Sequence, residues 1–190
     1  MVDNTFKRPR IYYGYIIVAA SIFILIMLFG PIASYGIFLP SLQSEFGWER
    51  ATISGARSLA FFLMGVFSAF GGILTDKYGP RLTMILSGLV LGIACFLVSH
   101  VNTVWQLYLF YGILFGIGAS AGDVVTLSTV ARWFTKRRGL MSGVVKAGTG
   151  IGIMVIPLLF SWLIDKYDWR TAYIVLAIYP LSLLLFQPSF

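Results

Sequence analysis

The sequence predicts an all-α, polytopic membrane protein, a bundle of six transmembrane helices. Three observations carry that prediction. The chain is 58% hydrophobic and 11% charged, with a mean hydropathy of +0.88, far too apolar for a soluble domain. Its charges cluster in short links between apolar runs that approach or exceed the ~20 residues a spanning helix needs. No strand-like alternation appears, and helices satisfy their own backbone polar groups in lipid. Net charge +7 would suggest nucleic acid for a soluble protein. Here the basic residues sit in short links, where the positive-inside rule puts them, so nucleic acid is not an expected partner and the lipid bilayer is. The single cysteine, Cys95, lies in an apolar run. That excludes an internal disulfide and a Cys-based zinc site, and no metal or cofactor is expected.

A polar tail, residues 1–10, carries Lys7, Arg8 and Arg10 ahead of helix one, expected over 13–39. Basic residues before an apolar run mimic a signal peptide, but this run is too long for one and reads as an uncleaved first helix. Gly30-Pro31 interrupts it; losing one backbone hydrogen bond there invites a kink of the kind that lines a cavity. Residues 40–50, with Glu45, Glu49 and Arg50, read as a loop before helix two, 51–74. The link 72–81 holds Asp76, Lys77 and Arg81 between two apolar runs, so the flanking helices turn back on each other. Gly79 suits positive φ, and Pro80 presets the φ that starts helix three, 82–99. A minimal link at 100–103 leads to helix four, 104–131, and a basic turn over 132–138 holds Arg132, Lys136, Arg137 and Arg138. Helix five, 139–164, a nearly neutral link, 165–170, and helix six, 171–186, complete the bundle.

Alternate links set the orientation. Lys7, Arg8, Arg10, Lys77, Arg81, Arg132, Lys136, Arg137 and Arg138 fall on one side and Arg50, Lys166 and Arg170 on the other. The expected arrangement is a multi-pass protein of the cell membrane with both termini cytoplasmic. Small residues recur four apart at Gly88 and Gly92, Gly112 and Gly116, Gly118 and Gly122, Gly139 and Gly143, and Gly148 and Gly152. Such pairs let backbones approach closely, and their clustering on helices four and five suggests that those two are neighbours.

The link after helix two resembles the signature loop of the major facilitator superfamily, Gly-x-Leu-x-Asp-Lys-x-Gly-x-Arg, matched at Gly72, Leu74, Asp76, Lys77, Gly79 and Arg81. Pro80 stands where a second basic residue is more usual. A second resemblance begins at Ala131. Trp133-Phe134, Lys136-Arg137-Arg138, Leu140, Gly143 and Ala147-Gly148 follow the start of helix five in the monocarboxylate transporter family, and Trp169-Arg170 is similar to the bacterial oxalate and formate exchangers. Together they imply the amino-terminal half of a twelve-helix secondary carrier, working by alternating access against a carboxy-terminal half. They also imply a small carboxylate as substrate and a proton or counter-anion as coupled species. Asp76 and Arg81 would tie helix ends together in one state, with Arg132 as a partner for Asp76. The expected function is transport of small organic anions; a self-associating half-carrier and a non-transporting membrane protein, such as an intramembrane enzyme or assembly factor, are the alternatives.

Three charges, Arg57, Asp123 and Lys146, fall well inside predicted spans. Each costs at least ~2.5 kcal/mol at the bilayer centre, so each should face the bundle interior or water. Asp123 lies ~13 Å from the end of its helix and Lys146 ~10 Å from the start of the next. At similar depth they either neutralise each other or meet the substrate. Arg57, ~9 Å into helix two, either snorkels to the surface or binds an anion, for which a planar guanidinium matches a carboxylate. Tyr15, Tyr35, Tyr108 and Tyr111 offer hydroxyl donors, or pack. No catalytic residue is expected: Gly118-Ala119-Ser120-Ala121-Gly122 matches a nucleophile string that needs a strand-to-helix turn, yet it sits mid-helix, and His100 lies at the opposite end of helix three.

Overall fold

A computed structural model describes residues 13–134 and 137–185, with side chains over 14–134 and 137–178. Lys7, Arg8, Arg10, Lys136 and residues 186–190 lie outside the described residues. The described residues form six helices, α1 Tyr13–Phe46, α2 Arg50–Tyr78, α3 Pro80–Val98, α4 Val104–Trp133, α5 Arg138–Lys166 and α6 Trp169–Leu185. Within the described residues five, α1 to α5, are long and apolar enough to cross a membrane. The sixth, α6, is a shorter apolar helix of 17 residues.

Two predicted links are largely helical. Pro31 and Pro40 each remove one N–H, leaving the Met27 and Gly36 carbonyls without their usual intrahelical donor, yet α1 runs through both to Phe46. It ends where Gly47 takes φ +66° and its N–H reaches the Gln43 carbonyl at 2.9 Å. The loop expected at 40–50 is thereby reduced to three residues, and Glu45 becomes helical. Likewise α2 carries Asp76, Lys77 and Tyr78 in its last turn, so the whole reversal rests on Gly79. Its φ of +87° is open to a residue without a Cβ, and Pro80 opens α3 at the position where a missing N–H costs nothing. A capping box, Thr103 with Gln106, starts α4, and a π-helical stretch, Tyr108–Phe115, widens it.

α1 packs on α5, α2 on α4 and α3 on α6, and α4 also touches α1 and α3. Exchanging the first three helices with the last three maps α1·α5 onto α4·α2 and α3·α6 onto itself, a three-plus-three symmetry that transporter folds share. Small residues set these approaches, but with other partners than their clustering suggested. A Cβ at Gly148 would lie 2.7 Å from the Ile22 carbonyl of α1, one at Gly116 2.7 Å from the Ala60 carbonyl of α2, and one at Gly118 2.6 Å from the Leu91 nitrogen of α3. The glycines of α4 and α5 thus seat each helix on the first three rather than on each other. A small-residue pair reveals that a backbone comes close, not which one. Gly139 and Gly143 face open space.

Candidate site in the membrane interior

The charged residues fall into three groups at different depths. At the signature-loop face, Arg132, on the last turn of α4, places Nη2 2.7 Å from Asp76 Oδ1. Their side chains are 58% and 74% exposed, so the pair alone contributes about 0–1 kcal/mol. Lys77 lies over the Tyr78 ring at 5.3 Å. Arg81 is exposed and forms no ion pair among the described residues, so the tie at Asp76 is made by Arg132.

Deeper in, Lys146 of α5 donates to both carboxylate oxygens of Asp123 on α4, at 2.7 and 2.8 Å, and stands 5.5 Å over the Phe29 ring of α1. The two charges compensate each other across the helix pair. Arg57 of α2 is differently placed. Its guanidinium lies 5.5 Å from the Phe61 ring and 5.8 Å from the Tyr35 ring. No acid pairs with it among the described residues, and its buried Nε has no hydrogen-bond partner. Arg57 is seven residues from the start of α2 and Lys146 eight from the start of the oppositely running α5. With 29 residues in each helix, about 20 Å of membrane depth separates them.

Two of the tyrosines spend their hydroxyls on backbone carbonyls rather than on Arg57. Tyr35 is fully buried and its hydroxyl donates to the Ile53 carbonyl at 2.7 Å, while Tyr108 donates to the Thr52 carbonyl at 3.0 Å. A buried phenol takes the nearest acceptor, here the first turn of α2, so of the two readings left open for Tyr35 the geometry is that of a packed ring: it offers Arg57 a ring face. Tyr35 in turn packs on Tyr111 with the rings tilted at 4.3 Å, and Tyr111 stacks on Phe115 at 4.6 Å, an aromatic column through the π-helical stretch that fixes the wall beside Arg57. Tyr15 is exposed and meets Phe134 edge-on at 6.1 Å. It lies 20 residues before Tyr35 on α1, ~30 Å away, so one small substrate cannot touch both. Ser120 donates to the Ile117 carbonyl of its own helix at 2.7 Å, as expected of a mid-helix serine rather than an exposed nucleophile.

One group was missed by the sequence reading. Glu45, near the end of α1, accepts from Arg170 Nη2 at 2.6 Å through one oxygen and from the Trp169 indole N–H through the other. Arg170 Nη1 also donates to the Ser99 carbonyl at 2.9 Å, at the end of α3. Only the helical continuation through Pro40 brings Glu45 to that position.

The sequence profile of the Major Facilitator Superfamily matches residues 14–188. The chain belongs to that superfamily. It is an integral, multi-pass helical membrane protein, and its relatives are transporters. It is 30% identical over 183 residues to monocarboxylate transporter 13 of Rattus norvegicus, covering 96% of this chain and 42% of the relative. It is 27% identical over 163 residues to monocarboxylate transporter 14 of Homo sapiens, covering 86% of this chain and 32% of the relative. With MFS-type transporter 1 of an Ophiocordyceps species it shares 31% identity over 157 residues, 80% of this chain and 35% of the relative. The chain therefore spans less than half the length of these curated relatives.

Proposed function

We propose that this superfamily member forms one six-helix half of a secondary carrier for small monocarboxylates. The site rocks between the two membrane faces, the signature-loop face is cytoplasmic, and the bilayer is that of the cell. The observation that carries the reading is the charge balance inside the membrane. Asp123 and Lys146 compensate each other, which leaves Arg57 as a cation with no acid partner among the described residues. Such a cation in a low-dielectric setting favours an anion, and a guanidinium between two ring faces keeps its N–H edge for a carboxylate. The names of the relatives support the same substrate class. The signature-loop tie of Asp76 to Arg132 supports a switching role for that loop rather than substrate contact. The carboxy-terminal half is the expected partner, and a proton or a counter-anion the coupled species.

The test is uptake of radiolabelled lactate and formate by the full-length protein in proteoliposomes, with external pH followed alongside. Saturable uptake supports the carrier reading; alkalinisation during uptake identifies a proton as the coupled species, and dependence on internal anion a counter-anion. Correctly folded, inserted protein that moves no monocarboxylate would contradict it.

A further inference from the structure

The link between α5 and α6 repeats the signature loop. Asp76-Lys77-Tyr78-Gly79-Pro80-Arg81 and Asp165-Lys166-Tyr167-Asp168-Trp169-Arg170 agree at Asp, Lys, Tyr and Arg. In each the lysine lies over the following tyrosine, at 5.3 Å for Lys77 and 5.6 Å for Lys166. The helix exchange that maps the packing onto itself also maps one link onto the other and the end of α4 onto the end of α1. At both places the link is tied to the penultimate residue of that helix: Asp76 to Arg132, one before Trp133, and Arg170 to Glu45, one before Phe46. The two ties lie at opposite membrane faces, with the charges reversed, since the first link contributes its acid and the second its arginine.

We propose that the Glu45, Trp169 and Arg170 cluster is a conformational latch for the face opposite the signature loop, acting against the Asp76–Arg132 tie. The inference rests on the alternating-access reading above. Closing the second half over one face dries the charges there; a paired charge gains Coulomb energy as the local dielectric falls, which offsets a desolvation cost that an unpaired charge bears alone. Breaking a tie therefore disfavours closure of its own side. The two are unequal. Glu45 has both oxygens bonded and is 38% exposed, and Arg170 is 29% exposed, whereas Arg132 and Asp76 share one contact at 58% and 74% exposure. The opposite latch is the more fully built.

The reporter is a cysteine at Gly65 in the full-length protein. Gly65 is exposed, has open space where a Cβ would stand, and repeats the helical spacing of Arg57 and Phe61 along α2. Its labelling by a membrane-impermeant thiol reagent from either face gives the ratio of the two open states. Glu45→Gln should raise labelling from the opposite face relative to the signature-loop face by roughly five-fold or more, the low end of coupling between distant sites. Asp76→Asn should move the ratio the other way, and the double variant should fall between. Trp169→Phe, which removes one hydrogen bond and keeps a ring, should shift it as Glu45→Gln does but less, and it carries the test if Glu45→Gln inserts poorly. Shifts of Glu45→Gln and Asp76→Asn in the same direction would overturn the latch, as would an unchanged ratio in both Glu45→Gln and Trp169→Phe. Wild-type labelling from one face only would instead overturn alternating access itself, and the latch with it.

Discussion

Arg57 and Lys146 are both cations inside membrane-spanning helices, and they differ in what surrounds them. Lys146 has a carboxylate at 2.7 and 2.8 Å from a helix in direct contact with its own. Arg57 has two aromatic rings and a buried, unbonded Nε. A membrane makes every charge costly, so a charge in a span identifies a place where something compensates it. For Lys146 the compensation is within the fold. For Arg57 it is a pair of ring faces, each of which attracts a cation by about 0.5–2 kcal/mol and neither of which supplies a hydrogen-bond acceptor, so the guanidinium keeps donors for a ligand anion.

Breaking the pair from one side gives the largest effect on stability. Lys146→Gln strands Asp123 inside the bundle; a fully buried pair would lose 3–5 kcal/mol, and at one-third to two-fifths exposure roughly 2–3 kcal/mol is expected, read as a lower thermal midpoint in detergent. Gly148→Ala comes next. Its new Cβ meets the Ile22 carbonyl at 2.7 Å, so α5 must move off α1 at a cost of about 1–3 kcal/mol, carrying Lys146 away from Phe29. The same measurement should show a lowered midpoint and, for a carrier, reduced uptake. Asp123→Asn combined with Lys146→Gln should be milder than either single change, because no charge is left uncompensated. A double variant worse than both singles would make the charges independent and move the anion site to Lys146. The smallest change in binding should come from Asp76→Asn. It should slow exchange while leaving equilibrium substrate affinity within a few-fold, and a large affinity loss at unchanged turnover would argue against a switching role.

Much of this was legible in the sequence because a membrane imposes simple rules. Apolar runs located the helices, and Gly79-Pro80 located the tightest turn, since positive φ and a missing N–H are local properties. The Asp123–Lys146 pairing followed from equal depth on consecutive helices as one of two open readings. What stayed hidden was non-local. Pro40 looked like a helix end, but a proline removes only one hydrogen bond, and the continuing α1 delivers Glu45 to Arg170 from 125 residues away. The hydroxyl of Tyr35 could not be assigned either, because its acceptor, the Ile53 carbonyl, is one of many backbone oxygens that sequence does not distinguish. Glycine spacing showed that α4 and α5 are closely approached without showing by what.

The most direct measurement is equilibrium binding of lactate, formate and oxalate to the full-length protein and its Arg57→Gln variant, with insertion and thermal midpoint as controls. Losing a charge-assisted hydrogen bond to a carboxylate costs about 1.5–3 kcal/mol, so affinity should fall roughly 10- to 150-fold while the protein inserts normally. Binding of these anions to Arg57→Gln at wild-type affinity would contradict the account and leave Arg57 a residue that reaches for the membrane surface.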